Sequence, residues 1–199
     1  MLGAALAFAI PTATWGAIPV QVRGGNASEV EEQSDGAALH RASGLHFPKS
    51  VGGMQIGKLV VYGAGDVSAV YYLSQKSSDP WLSFYIYPVG QTIDAEENVV
   101  RQSIEQAWTA RQIAAPVAIA LPNDIRTGWY DVRNAEVAGR SVYAVVRRGD
   151  WYLKARVTIP HDAGNVGVAA AASALQSLPW SAAGALPRQT APAPAIGRD

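Results

Sequence analysis

The chain has 199 residues, 49% of them hydrophobic, and its six Trp and eight Tyr supply bulky material for the core of one domain. Its 16 Lys and Arg balance 16 Asp and Glu, which argues against a general electrostatic attraction to nucleic acid or to an acidic membrane. No cysteine is present, which excludes disulfides, thiol catalysis and cysteine-based zinc sites.

Residues 1–17 have the pattern of a secretory signal peptide. Leu2–Ile10 form an apolar run, and Thr14 and Gly16 are the small residues expected before cleavage at Ala17. The segment lacks a basic start, so a buried apolar strand or helix is the alternative. The run is too short to span a membrane as a helix. We therefore expect a periplasmic or secreted protein with no stable membrane span after the signal is removed.

The next segment, residues 18–43, is rich in Gly, Ser, Gln and acidic side chains and predicts a flexible linker. Order is expected from residue 44 onward. Strands are predicted at residues 59–62, 67–74 and 81–87, and the last of these alternates between apolar and polar positions.

The hydrophobic period then changes to that of a helix. Over residues 94–113, Val100 and Ile104 are apolar at helical spacing, and Asp94 predicts the start of the helix through a capping-box pattern. A second helix, rich in Ala, is predicted at residues 165–178.

Three strands are expected between the two helices, and the last two form the clearest hairpin of the chain. The first covers residues 128–138. The hairpin reverses at Gly149-Asp150, a pair suited to a type II′ turn. With that turn, Val146 faces Leu153 on an apolar side, whereas the opposite side carries aromatic and basic residues and is expected to face water.

These elements predict an α+β domain over residues 44–181. Because most links between strands are short, the expected core is a twisted antiparallel β-sheet of about six to seven strands, packed by two main helices. Residues 182–199 are rich in Ala and Pro and predict a disordered tail.

A search for catalytic and metal-binding patterns finds none with the expected spacing. The sequence has no nucleophile elbow and no phosphate-binding glycine loop. The three histidines, His40, His46 and His161, have no second ligand at a metal-binding spacing. We expect no metal and no cofactor.

A hydrolase whose residues meet only in space stays open as an alternative. His161 and Asp162 lie at a junction between a strand and a helix, and Asp131 and Arg133 are the other candidate members. The simpler interpretation of Asp162 is a helix N-cap beside an exposed imidazole.

Aromatic and basic residues on the second side of the strands are the candidate ligand-binding group. They are Tyr85, Tyr87, Tyr143, Tyr152, Arg147 and Arg156, with Lys154 between them. Such residues can form a groove for a sugar, a lipid or a peptide. Two structural alternatives are cation–π pairing of Tyr143 with Arg156 across the strands, and cover of this side by the long helix.

Two short segments resemble a known group of proteins. Phe47–Gly53 and the closing Leu178-Pro179-Trp180 resemble segments of uncharacterised exported bacterial proteins, and the order of elements is similar to the PsbP-like (DcrB-like) fold. That resemblance implies an accessory or binding protein rather than an enzyme.

The sequence therefore favours a non-enzymatic exported binding or accessory protein, with an unidentified protein or envelope ligand as its partner and no nucleic acid. The alternatives are a cell-wall or carbohydrate binder that uses the sheet aromatics, and a hydrolase assembled around His161.

Overall fold

A computed structural model describes residues 17–74 and 76–181 of the chain. The predicted signal peptide, apart from Ala17, and the predicted tail at residues 182–199 lie outside the described residues.

The described residues form twelve strands, two α-helices and two short 3-10 turns. The strands are β1 Val20–Val22, β2 Val30–Glu32, β3 Ala38–His40, β4 Leu45–Phe47, β5 Ser50–Val51, β6 Met54–Gly63, β7 Asp66–Tyr72, β8 Trp81–Pro88, β9 Thr109–Ile113, β10 Arg126–Arg133, β11 Ala138–Arg148 and β12 Trp151–Pro160. The helices are α1 Ile93–Ala107 and α2 Gly164–Ser177, and the 3-10 turns are Ala27–Glu29 and His161–Ala163.

One large mixed sheet dominates the fold. It has nine strands. Eight of them follow the order β1-β6-β7-β8-β12-β11-β10-β9, and the ninth, β5, lies outside this row and pairs with β6. β1 runs parallel to β6, and the other pairs are antiparallel. β2, β3 and β4 form a separate three-stranded sheet.

The predicted α+β fold, with six to seven antiparallel strands under two main helices, is therefore wrong. The chain is mostly β, and its large sheet is wider than expected and mixed in direction. The prediction missed β1, β5 and β9, because strands of two to five residues are too short to show a clear alternation. It also extended the first helix over residues 109–113, which form β9, and that helix is capped by Thr92 rather than Asp94.

The expected flexible linker at residues 18–43 needs a similar correction. It carries β1, β2 and β3 and buries Ala38 and His40 completely. The Glu29 carboxylate accepts a hydrogen bond from the Gly65 backbone N–H at 2.9 Å, which ties this segment to the turn between β6 and β7. Its polar residues therefore make specific contacts within the domain, which begins before residue 44.

The hairpin of β11 and β12 has the predicted register. Val146 pairs with Leu153, Ala144 with Ala155 and Tyr143 with Arg156, and Gly149 takes the positive φ of 57° that a type II′ turn needs. The hairpin's apolar side is buried as predicted.

The first face of the large sheet, defined by Leu82, Phe84 and Ile86 of β8, holds the main core. Phe84 meets Phe47 of the small sheet and Trp180 after α2, in edge-to-face contacts with ring centroids 5.8 Å apart. The small sheet and α2 therefore cover this face together.

The second face, which carries Tyr85 and Tyr87, is covered only in part. Val100 and Ile104 of α1 pack on β10, β11 and β12. The expectation that this side of the hairpin faces water is therefore wrong, because α1 buries Tyr143 and Tyr152. We call the remaining part of this face, on β6, β7 and the start of β8, the open half-sheet.

His40 of the small sheet makes the free energy of unfolding depend on pH. The imidazole is fully buried edge-on to Trp151, and its Nδ1 lies 2.7 Å from Ser43 Oγ. Burial lowers the pKa of His40 from the usual 6.5 to about 4, against the opposing charge of Glu29. Between these two pKa values the unfolded chain binds more protons than the folded one, so stability is full above pH 6.5 and falls as the pH decreases toward 4.

We expect the wild type to lose about 2 kcal/mol of unfolding free energy through His40 between pH 7 and pH 5. Urea unfolding at both pH values measures this loss, which should shrink in His40→Gln. His46→Gln is the matched control, because His46 is exposed on the neighbouring strand, and it should keep the wild-type pH dependence. An unchanged pH dependence in His40→Gln would contradict the assignment.

Candidate functional site

The open half-sheet forms a shallow groove of about 300 Å³. Its floor comes from alternate residues of β6, β7 and β8, with one contribution from the end of β1. The lining residues are Arg23, Lys58, Val60, Tyr62, Ser68, Val70, Tyr72, Trp81, Ser83 and Tyr85.

Strand pairing places the groove's aromatic residues. Tyr72 pairs with Trp81 across β7 and β8, and two residues further along β8 Ser83 separates Trp81 from Tyr85. Tyr62, Tyr72, Trp81 and Tyr85 are all half-buried. Half-buried aromatic rings on one open face are typical of ligand-binding grooves.

Tyr72 is held by a β-bulge in the facing strand. The register between β6 and β7 shifts between Ile56 and Lys58, which leaves Gly57 as the extra residue. The Tyr72 ring packs on the bare backbone there, since a Cβ on Gly57 would lie 2.5 Å from Tyr72 Cδ2. The glycine is therefore required for the position of this ring in the groove.

The groove is lined by positive charge. Arg23 and Lys58 are its ionisable cations, and none of its ten lining residues is acidic. The Arg23 guanidinium lies 5.8 Å from the centroid of the Tyr62 ring, in a cation–π arrangement that keeps the charge at the groove's edge. The lining therefore suits a ligand that combines flat rings with negative charge.

Two further cations lie at the border between the groove and α1. Lys154 Nζ is 4.4 Å from the Tyr85 ring centroid and 4.9 Å from that of Tyr87. Burial lowers the pKa of Lys154, against the opposing charges of Glu96 and Asp66. Arg156 donates from Nε to Ser141 Oγ at 3.1 Å, and burial lowers its pKa as well. Of these two cations, Lys154 therefore contacts a ring of the groove, whereas the Arg156 guanidinium lies 5.5 Å from the centroid of the Trp108 ring.

The structure separates the six residues that the sequence proposed for ligand binding. Tyr85 lines the groove, and Arg156 pairs across the strands with Ser83, which also lines it. Arg147 is exposed at the hairpin end, where it donates to the Gly149 carbonyl.

The other three are tyrosines whose hydroxyls bond to α1 or to the loop before it. Tyr87 donates to Glu96, Tyr143 to Glu97 at 2.8 Å and Tyr152 to the Gln91 carbonyl at 2.7 Å. Burial is the first cause of the raised pKa of each of these tyrosines.

Three groove aromatics, Tyr62, Tyr72 and Trp81, were missing from the six residues that the sequence predicted to bind a ligand. The alternation of β8 already placed Trp81 on the same side as Tyr85. Tyr62 and Tyr72 belong to strands whose partners and bulge the sequence does not reveal, so their place in the groove follows from the pairing of β6, β7 and β8.

A second concavity, which we call the end cleft, lies where β8 begins and β12 ends. Its volume is about 1060 Å³, and its lining includes His161, Asp162, Asp131 and Arg133, the four residues of the hydrolase hypothesis. Asp131 accepts from Arg111 at 2.8 Å and lies 3.9 Å from Arg140. In the described part of the chain, no hydrogen bond joins His161 to either aspartate, and no three metal-ligating side chains form a group that could hold a metal ion.

No family model, curated protein or solved structure matches this chain in comparisons with known proteins. The resemblance to PsbP-like proteins therefore stays a prediction. Within residues 17–74 and 76–181, neither α-helix has the length and apolar character needed to cross a membrane.

The contact of Tyr72 with Gly57 gives a test of how the groove is built. We expect Gly57→Ala to cost about 1–3 kcal/mol of unfolding free energy, because the new methyl group displaces the ring. In a Tyr72→Ala background the same change should cost much less, because the clash is gone. Chemical denaturation of both single variants and the double variant measures the coupling.

Gly90→Ala is the control, since a Cβ there has no other atom within 4 Å. Equal costs of Gly57→Ala in both backgrounds would contradict the packing of Tyr72 on Gly57.

Proposed function

We propose that this protein is an exported, non-catalytic binding domain whose groove holds a carbohydrate chain carrying carboxylates. The observation that carries the proposal is the composition of the groove, in which four aromatic rings and two cations line one open surface without an acidic residue. Export and location in the periplasm or outside the cell rest on the apolar run at residues 1–17.

The chemistry of such a chain matches the groove in two ways. The apolar faces of sugar rings pack against aromatic side chains, and the half-buried rings of Tyr72 and Trp81 offer such faces. Carboxylates on the sugars pair with Arg23 and Lys58 at the groove's edge.

Single-stranded nucleic acid also stacks on aromatic rings, but it fits this surface less well. A nucleic-acid channel needs cations along the path of the phosphates. This groove has two lining cations, and the whole chain has a formal net charge of zero. A carboxylated sugar chain has lower charge density, and two cations are enough to orient it.

A hydrolase is the second candidate, and the end cleft is the observation that favours it. Asp131 and Arg133 of strand β10 and His161 and Asp162 of the second 3-10 turn line one concavity. Asp131 is engaged by Arg111, which leaves His161 and Asp162 as the groups available for acid–base chemistry.

The binding proposal predicts that Tyr72→Ala and Trp81→Ala each weaken the binding of oligogalacturonate about tenfold or more, which corresponds to about 1.4 kcal/mol. Tyr72→Phe keeps the ring and should bind nearly as well as the wild type. Trp108→Ala removes a half-buried aromatic outside the groove and is the matched control. Isothermal titration calorimetry measures the affinities, and equal losses in all three alanine variants would count against the groove.

The hydrolase candidate is tested separately. Oligogalacturonate and a generic nitrophenyl ester are incubated with the wild type and with His161→Ala, and product release is followed by chromatography and absorbance. Turnover that the wild type shows and the variant loses would support the enzyme. Equal background rates in both proteins would remove the hydrolase candidate.

A further inference from the structure

The aromatic rings of the groove fall into two pairs at different positions along the strands. Tyr72 of β7 and Trp81 of β8 are direct partners across the strands, and we call them the first ring pair. Tyr85 lies four residues beyond Trp81 on the same side of β8, because the side chains of a strand alternate. At about 3.3 Å for each residue, these two side chains of β8 are attached roughly 13 Å apart.

Tyr62 of β6 belongs with Tyr85 rather than with the first ring pair. Ser68 of β7 pairs with Tyr85 on one side and with Val60, two residues before Tyr62, on the other. Burial, and after it the nearby phenol of Tyr62, raises the pKa of Tyr85. Tyr62 and Tyr85 therefore form a second ring pair at the other end of the groove.

Short side chains separate the two ring pairs. Each lies on the same face as the rings and lines the groove, and none is aromatic or charged. They are Val60, Ser68, Val70 and Ser83. A single sugar ring is shorter than the roughly 13 Å between the pairs along β8, so it can pack on one pair only.

One cation accompanies each ring pair. Lys58 directly follows Gly57, on which the Tyr72 ring packs, so it lies at the first pair's end of the groove. At the second pair, the Arg23 guanidinium lies 5.8 Å from the centroid of the Tyr62 ring. Both ends of the groove therefore offer the same chemistry, two aromatic rings with one positive charge, and this repetition suits a ligand whose units also repeat.

We propose that the two ring pairs are separate subsites for one carboxylated sugar chain, which lies along β7 and β8 and packs one sugar unit on each pair. This inference rests on the proposed function and adds the length and the direction of the ligand. The chain stays on the part of the second face between β1 and β8, beside the strands that α1 covers.

The length of the ligand follows from the distance between the pairs. The two rings of a disaccharide are joined by one glycosidic oxygen and lie too close together to reach both pairs. A chain with further sugar units between the two bound ones reaches both, and its second attachment adds affinity because the first already holds it in place.

The experiment measures the affinities of the full chain for digalacturonate and hexagalacturonate by isothermal titration calorimetry. The wild type should bind the hexamer at least about tenfold more tightly than the dimer, because only the hexamer bridges the two pairs. Tyr62→Ala removes a ring of the second pair and should weaken hexamer binding about three- to tenfold. It should weaken dimer binding at most about twofold, because the first pair still binds the dimer.

Tyr62→Phe is the matched control, since it keeps the ring and removes only the hydroxyl. This variant should bind both ligands as the wild type does. The double variant with Tyr62→Ala and Trp81→Ala lacks a ring in each pair and should bind both ligands weakly.

The outcomes separate this inference from the proposed function. Equal wild-type affinities for the two lengths, or equal losses for both in Tyr62→Ala, would leave a single subsite and overturn the bridging of the two pairs. Hexamer binding at the wild-type affinity in Tyr62→Ala would overturn it as well. Wild-type affinity for the hexamer in the double variant, or no binding of either ligand by the wild type, would overturn the proposed function itself.

Discussion

The groove exists because the single helix α1 is too narrow to cover the whole second face of the large sheet. An α-helix with its side chains is about 10–12 Å across, which corresponds to roughly two to three strand spacings. The second face of the large sheet spans eight neighbouring strands, from β1 at one edge to β9 at the other. α1 lies over the β10, β11 and β12 end, with Val100 and Ile104 as its buried anchors. The strands β6 and β7 are left without a helix, and the groove lies there.

The contacts beneath α1 also explain why the aromatic residues divide into two groups. Tyr87, Tyr143 and Tyr152 bury their rings, and each satisfies its hydroxyl with a carboxylate or a carbonyl of α1 or the loop before it. A buried hydroxyl without such a partner would be destabilising. The aromatics beyond the reach of α1 stay half-buried, and these are the residues that line the groove.

The opposite face of the sheet is closed by chain segments from both ends of the domain. The small sheet brings Phe47, and the segment after α2 brings Trp180, and both meet Phe84 at the centre of the core. α2 approaches very closely at Gly52, where a Cβ would lie 2.3 Å from the Ala174 backbone nitrogen. Within the described residues, the small sheet and α2 therefore pack on the first face and do not cover the groove.

The sequence by itself determined the local elements of this protein. The hairpin register around Gly149, the alternation of β8 and the existence of both helices followed from periodicity and turn chemistry, which act between near neighbours. The tertiary structure decided the width of the sheet, the parallel pairing of β1 with β6 and the part of the second face that α1 covers. Those features depend on contacts between distant segments, such as the carboxylate of Glu29 at Gly65 and the ring of Tyr72 on Gly57. Residue patterns within a short window carry no information on such pairings, and for that reason only Tyr85 among the six proposed residues lines the groove.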